Sequence, residues 1–94
     1  MAARIEVEKV NEGEFRIRVS EAKSQSTHRV TLTQADYRRL TGGKIEAQEL
    51  IRLSFEFLLA RESKESILPE FDLPVIGRYF PNFESEMRRR LAQP

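Results

Sequence analysis

The sequence lacks cysteine and tryptophan and contains a single histidine, His28, among its 94 residues. The lack of cysteine excludes disulfide frameworks, thiolate zinc sites, iron-sulfur clusters and cysteine nucleophiles. One histidine leaves no multi-histidine metal site within the chain, although carboxylate chemistry is not excluded by counting. We therefore expect no metal, no cofactor and no catalytic residue in this protein.

Long apolar runs are also missing, and so is a large excess of either charge. No segment is apolar enough to cross a bilayer about 30 Å thick, and no apolar leader follows Arg4, so we expect a cytoplasmic protein without a membrane partner. The sixteen Lys and Arg nearly balance the fifteen Asp and Glu, for a net charge of +1. This balance disfavours a dedicated nucleic-acid binder. The length fits a single domain over residues 1–94.

Apolar and charged residues alternate with period two over 5–8 and again over 15–20. The intervening Asn11-Glu12-Gly13 predicts a three-residue hairpin loop, with Gly13 in the left-handed region and Val10 paired with Glu14. Counting from the loop gives the core pairs Val7–Ile17 and Ile5–Val19 and the solvent pairs Glu8–Arg16 and Glu6–Arg18. Apolar then meets apolar and acid meets base, which supports the register.

A third strand is predicted over residues 27–32, where His28 lies on the apolar side. Thr33 is expected to cap a short helix that begins at Gln34 and ends at Gly42-Gly43. From about Ile45 to Arg61 the apolar spacing becomes helical and covers well over half of the circumference. A helix this apolar must be covered on several sides, so we expect it to form the core of the domain.

The C-terminal part predicts irregular chain followed by two short helices. Ile67-Leu68-Pro69 should return across the core, and Asp72 should cap a helix that has Pro74 in its first turn and ends at Pro81. Asn82 is expected to cap the last helix. The predicted fold is therefore α+β, with a three-stranded antiparallel sheet in the order 1-2-3, packed on a long helix and completed by short helices.

The segments "SFEFLLARES" and "ILPEFDLPVIGRYFPNFESEM" carry a resemblance to known sequences. Over roughly residues 53–87 the chain resembles small bacterial proteins of unassigned function, whose C-terminal parts share an SFEFLL-type helix and an FDL, I, YFP pattern. The resemblance implies that the chain is a complete small protein of that type. It brings with it no activity, ligand or catalytic residue.

The aromatic corner, which we define as Tyr79, Phe80 and Phe83 around Pro81, is the first candidate site. Two short helices at a proline corner expose apolar surface that a protein partner or a second copy of the chain could cover. The alternative is that all three rings pack on the long helix. Since no nucleophile, base and electrophile stabiliser occur together, we expect a non-enzymatic binding or regulatory module that acts through protein-protein contact, including self-association.

The second candidate site is a C-terminal arginine cluster, Arg78 with Arg88, Arg89 and Arg90. Clustered guanidinium groups bind phosphates, so a nucleic-acid-binding module is the competing hypothesis. The favoured interpretation is structural. These arginines complement the helix dipole, and pairs with acids four residues earlier, Glu84–Arg88 and Glu86–Arg90, are expected.

Other candidates have ordinary explanations that we favour. Arg16, Arg18 and Arg29 should share one sheet face, but without aromatic residues for base stacking this is expected to be a charge-paired solvent face. His28 could respond to pH, yet a half-buried histidine at a sheet edge is the preferred interpretation.

Two carboxylate pairs remain, Glu70 with Asp72 and Glu62 with Glu65. Each could be proposed as an acid-base pair, but such spacing is common in charged chains and Asp72 is already expected to act as a helix cap.

Overall fold

The computed structural model describes residues 3–92 of the chain. Its elements are β1 (Arg4–Asn11), β2 (Glu14–Ser20), β3 (Gln25–Thr31), α1 (Gln34–Thr41), α2 (Ala47–Leu59), β4 (Glu70–Asp72), α3 (Ile76–Tyr79) and α4 (Phe83–Ala92). Short 3₁₀ turns over Lys64–Ser66 and Leu73–Val75 flank β4. The fold is α+β, and its sheet has the order β1-β2-β3-β4.

The hairpin of β1 and β2 has the predicted register over most of its length. The confirmed cross-strand pairs are Ile5–Val19, Glu6–Arg18, Val7–Ile17 and Glu8–Arg16. At the turn the prediction is wrong, because Asn11 and not Val10 pairs with Glu14, and the register shifts between Lys9 and Asn11. An extra residue accommodated there as a bulge twists the strand into the turn.

Gly13 is required at this turn for two reasons. Its φ of 72° lies in the left-handed region, as expected. A Cβ at this position would also lie 3.0 Å from the carbonyl oxygen of Leu32. The carbonyl oxygen of Gly13 accepts a hydrogen bond from the backbone N–H of Leu32 at 2.9 Å, so the hairpin loop is held against the chain that follows β3.

The sheet has a fourth strand that the sequence did not predict. β4 pairs in parallel with β3, with Phe71 opposite Val30, and the N–H of Arg29 donates to the carbonyl oxygen of Pro69 at 2.8 Å. The expected three-stranded antiparallel sheet is thus a correct description of β1 to β3 only. A consequence is that β3 is an inner strand, and His28 on β3 does not lie at a sheet edge.

Helices α1 and α2 form where the sequence predicts them. The Thr33 hydroxyl oxygen accepts from the N–H of Asp36 at 3.1 Å, and Gly42 ends α1 with a φ of 63°. α2 is about two residues shorter at each end than predicted. It supplies much of the core through the buried residues Leu50, Ile51, Ser54, Phe55, Phe57 and Leu58.

The prediction that Asp72 caps a helix through its side chain is wrong. Asp72 precedes the turn that contains Pro74, but its side chain makes no cap hydrogen bond. Its Oδ1 instead accepts from the hydroxyl of Thr31 at 2.7 Å, because strand β4 places Asp72 directly beside that residue. In α4, Phe83 and Met87 are buried on the core side. Within residues 3–92, no helix has the length and apolar character that crossing a membrane requires.

Candidate protein-binding groove

A groove lies between the end of α2, the segment that leads into β4, and α3. We call it the C-terminal groove, and its volume is about 360 Å³. Its floor consists of buried apolar side chains, namely Leu58, Ile67, Phe71 and Ile76. Phe71, which the pairing of β4 with β3 sets opposite Val30, is part of this floor.

The rim of the C-terminal groove carries exposed apolar groups. Among the described residues, two large apolar side chains are exposed, Leu68 at 44% and Tyr79 at 67%, and both line this groove. Val75 and Phe80 complete the apolar lining, while its polar members are Glu62 and Ser66. Isolated exposed apolar residues are ordinary, whereas this groove brings two of them together above an apolar floor.

His28 holds one wall of the groove in place. Its side chain is buried, with 3% exposed. Nδ1 lies 2.8 Å from the carbonyl oxygen of Leu68, and Nε2 lies 2.8 Å from the hydroxyl of Ser26. Because a carbonyl only accepts, Nδ1 carries the proton and Nε2 accepts from the serine hydroxyl. The expectation of a half-buried edge histidine is therefore wrong, since β4 and its preceding loop cover that side.

Lys64 anchors the segment just before the groove, a role that sequence reasoning missed. Its side chain is 2% exposed, and its ammonium pairs with Glu65, with Glu21 at 3.0 Å and with the hydroxyl of Ser24 at 2.6 Å. Hydrogen bonding to Glu65 and then to Glu21 raises the pKa of Lys64 above its ordinary value of 10.5. These contacts join the β2–β3 loop to the chain that enters the groove, and no local sequence pattern marks them.

The three residues of the predicted aromatic corner differ in burial. Phe80 is half-buried and meets the Phe57 ring edge-on at a centroid distance of 5.8 Å. Phe83 is fully buried, with its ring centroid 5.4 Å from that of Phe57. Phe83 is therefore a core residue and does not belong to an exposed surface. Tyr79 and Phe80 remain at the rim of the C-terminal groove.

The C-terminal arginines do not form one open cationic patch. Consecutive residues of a helix point about 100° apart, so Arg88, Arg89 and Arg90 face different directions around α4. Their ion pairs are Arg88–Glu84 at 3.9 Å, Arg89–Glu86 at 2.5 Å, Arg90–Glu86 at 3.6 Å and Arg90–Glu56 at 3.5 Å. The hydrogen bond from Arg89 lowers the pKa of Glu86. Arg78 lies apart from them, on α3.

The outer face of the sheet is charge-paired. The arginines meet carboxylates in the pairs Arg16–Glu8 at 3.1 Å, Arg18–Glu6 at 3.7 Å and Arg29–Glu14 at 3.1 Å. Each of these arginines is therefore paired with a carboxylate of the same chain. In the part of the chain from residue 3 to residue 92, no group of three or more His, Asp or Glu side chains is placed to hold a metal ion.

The two predicted carboxylate pairs are separated by their own contacts. Asp72 accepts from Thr31, while Glu70 is in register with Arg29 across the strands. Glu65 pairs with Lys64, whereas Glu62 lines the C-terminal groove. The structure thus gives each carboxylate different surroundings and brings neither pair together around a common reaction centre.

Comparison of the chain with models of protein families, with curated proteins and with solved structures finds no match. A functional assignment therefore depends on the geometry of the groove itself.

Proposed function

We propose that the protein is a non-enzymatic binding module that acts through protein-protein contact at the C-terminal groove. The observation that carries this proposal is the position of Leu68 and Tyr79, the two exposed large apolar side chains of the described chain, on a single groove. Exposed apolar surface concentrated in one place is typical of sites that another macromolecule covers. The absence of cysteine from the sequence agrees with a cytoplasmic location, which we include in the proposal.

The character of the groove favours a protein over a small metabolite. Small-molecule sites place a few converging polar groups in a concave apolar pocket, which fixes the orientation of the ligand. In this groove the polar side chains are Glu62 and Ser66, and the ring of Tyr79 stands mostly in solvent. A protruding aromatic side chain next to an apolar depression resembles the centre of a protein interface, where tyrosine is enriched.

We expect a few residues of the groove to contribute most of the binding free energy. Truncation of a tyrosine at the centre of an interface typically costs about 2 kcal/mol or more of binding free energy. Tyr79 lies on the short helix α3, which is anchored in the core by Ile76 three residues earlier. Its backbone is therefore positioned before binding, which reduces the entropy lost on association.

The experiment compares captured proteins among matched variants. Tyr79→Glu and Leu68→Glu each place a charge on the groove, and Ala35→Glu places the same charge on an exposed position of α1. Tagged versions are incubated with lysate of the native cell, and bound proteins are quantified by mass spectrometry. We expect specific partners to be retained by the wild type and Ala35→Glu but lost from both groove variants. Equal retention by all four proteins would overturn the proposal.

A further inference from the structure

We infer that β1 pairs edge to edge with β1 of a second copy of the chain, in an antiparallel dimer with two-fold symmetry centred on Ile5. β1 forms one edge of the sheet, since its only strand neighbour within residues 3–92 is β2. An unpaired edge strand offers a row of backbone donors and acceptors, and another strand is the partner that fits such a row. None of the residues that line the C-terminal groove belongs to β1, so this surface is separate from the groove.

The hydrogen bonds of the inner strands show how the backbone of β2 is oriented. Successive residues of a strand direct their N–H and C=O groups to opposite sides. The N–H of Arg29 on β3 donates toward β4, so its neighbour His28 directs its backbone groups toward β2, where it lies opposite Ile17. Ile17 therefore bonds to β3. The residues on either side of it, Arg16 and Arg18, direct their backbone groups toward β1.

The free backbone groups of β1 therefore belong to Ile5 and Val7. Glu6 and Glu8 lie opposite the two arginines of β2 and use their backbone groups on that strand. Ile5 and Val7 alternate with them, so their N–H and C=O groups point to the open edge. Among the described residues, no backbone hydrogen bond joins this edge to another part of the chain. These strong hydrogen-bonding groups are available to a partner strand.

The part of this edge that can pair is short. The register shifts between Lys9 and Asn11, so a bulge distorts the edge next to the hairpin turn. Lys9 also lies opposite the buried Phe15, and a charged side chain on the core side of an edge strand opposes pairing there. Pairing is therefore confined to residues 3–8. A two-fold pair of strands uses this edge in both copies and forms a closed dimer.

The side chains of β1 favour a second copy as the partner and specify the register. Pairing centred on Ile5 sets this residue opposite its own copy and Ala3 opposite Val7. All three are half-buried and pack against the core, so the apolar row continues across the junction. On the outer face the same pairing sets Arg4 opposite Glu6, once on each side of the axis. These two side chains are 78% and 47% exposed, and each contact joins opposite charges.

Other registers of the same two strands are less favourable. Pairing centred on Glu6 would set this carboxylate opposite its own copy, and like charges directly opposite each other are destabilising. A shift of one strand by one residue would set Ile5 opposite a charged side chain. The few residue pairs remove less surface than the about 800 Å² per partner of a standard interface, so we expect a weak, reversible dimer.

The first experiment measures the register by disulfide cross-linking, which the absence of native cysteine makes specific. Hydrogen-bonded residues directly opposite each other have Cα atoms about 5.5 Å apart, a distance that a disulfide bridges. Ile5→Cys should therefore form a covalent dimer in a glutathione redox buffer. Val7→Cys is the matched control on the same face of β1. Its two copies would lie four residues, about 13 Å, apart along the strands, too far for a disulfide.

The second experiment measures the dissociation constant by sedimentation equilibrium. We expect a monomer–dimer equilibrium for the wild type. Arg4→Glu sets like charges against Glu6 at two places and should raise the dissociation constant about fivefold or more. The double variant Arg4→Glu/Glu6→Arg restores opposite charges and should return to within about threefold of the wild type. Arg38→Glu, a charge reversal on the exposed face of α1, should have no effect. Circular dichroism establishes that each variant is folded.

Three results would overturn the pairing of β1 with its copy. The first is a wild-type chain that stays monomeric up to roughly 1 mM. The second is a Val7→Cys chain that cross-links as readily as Ile5→Cys, and the third is a folded double variant that associates no better than Arg4→Glu. None of them affects the capture experiment on the C-terminal groove, because the groove variants leave β1 unchanged.

Discussion

On the outer face of the sheet each of the glutamates Glu6, Glu8 and Glu14 meets an arginine, whereas Glu62 at the C-terminal groove forms no ion pair within residues 3–92. The same contrast holds for apolar groups. The apolar side chains of β2 face the core, while Leu68 and Tyr79 stand in solvent. One region is charge-paired within the chain, whereas the other leaves apolar side chains exposed to solvent.

The difference shows where charged side chains contribute to the structure and where they do not. A cross-strand ion pair contributes about 0.2–1 kcal/mol, and its main effect is to favour one strand register over the alternatives. At the groove, the carboxylate of Glu62 lies beside an apolar lining and forms no ion pair within residues 3–92. The nearly neutral total of +1 conceals these two different uses of charged residues.

The largest expected effect on stability distinguishes two residues of the aromatic corner, Phe83 and Tyr79. Phe83→Ala should lower the free energy of unfolding by about 3–5 kcal/mol, because it leaves a cavity beside Phe57. Tyr79→Ala, four residues earlier, should change it by less than about 0.5 kcal/mol, since its ring is mostly exposed. Urea denaturation measures both. Similar losses for the two variants would show that Tyr79 belongs to the core and not to a binding surface.

The parts of the fold that could be predicted from the sequence are those that a local sequence pattern specifies. The register of β1 with β2 follows from period-two alternation, and Thr33 and Gly42 mark the ends of α1 by their own chemistry. β4 could not be predicted in this way. It has three residues, it follows Pro69, and its pairing with β3 depends on chain about forty residues away.

The groove was predictable only in part for the same reason. Tyr79 and Phe80 stand out in the sequence as an aromatic pair before a proline, but no local pattern shows that Leu68 and Glu62 lie beside them. The sequence left open whether Phe83 packs on the long helix, as it does, because Pro81 interrupts the helical period that would relate this ring to Tyr79. Which aromatic side chain faces the core is then decided by tertiary packing.

A second prediction tests whether His28 holds the wall of the groove. His28→Ala removes the hydrogen bond to the carbonyl oxygen of Leu68 and should lower the free energy of unfolding by about 1–3 kcal/mol. Amide hydrogen exchange of Ile67, Leu68 and Glu70 should accelerate more than exchange in β1. Ser26→Ala removes only the partner of Nε2 and serves as the milder control. Unchanged exchange at Leu68 in His28→Ala would contradict this anchoring role.

The smallest effect is expected on the outer sheet face. Glu8→Gln should lower the free energy of unfolding by about 0.2–1 kcal/mol, because its ion pair with Arg16 is exposed and cross-strand. A double-mutant cycle with Arg16→Gln measures the coupling, which should weaken as added salt screens the pair. A coupling energy that stays the same at high salt would contradict an exposed pair of this kind.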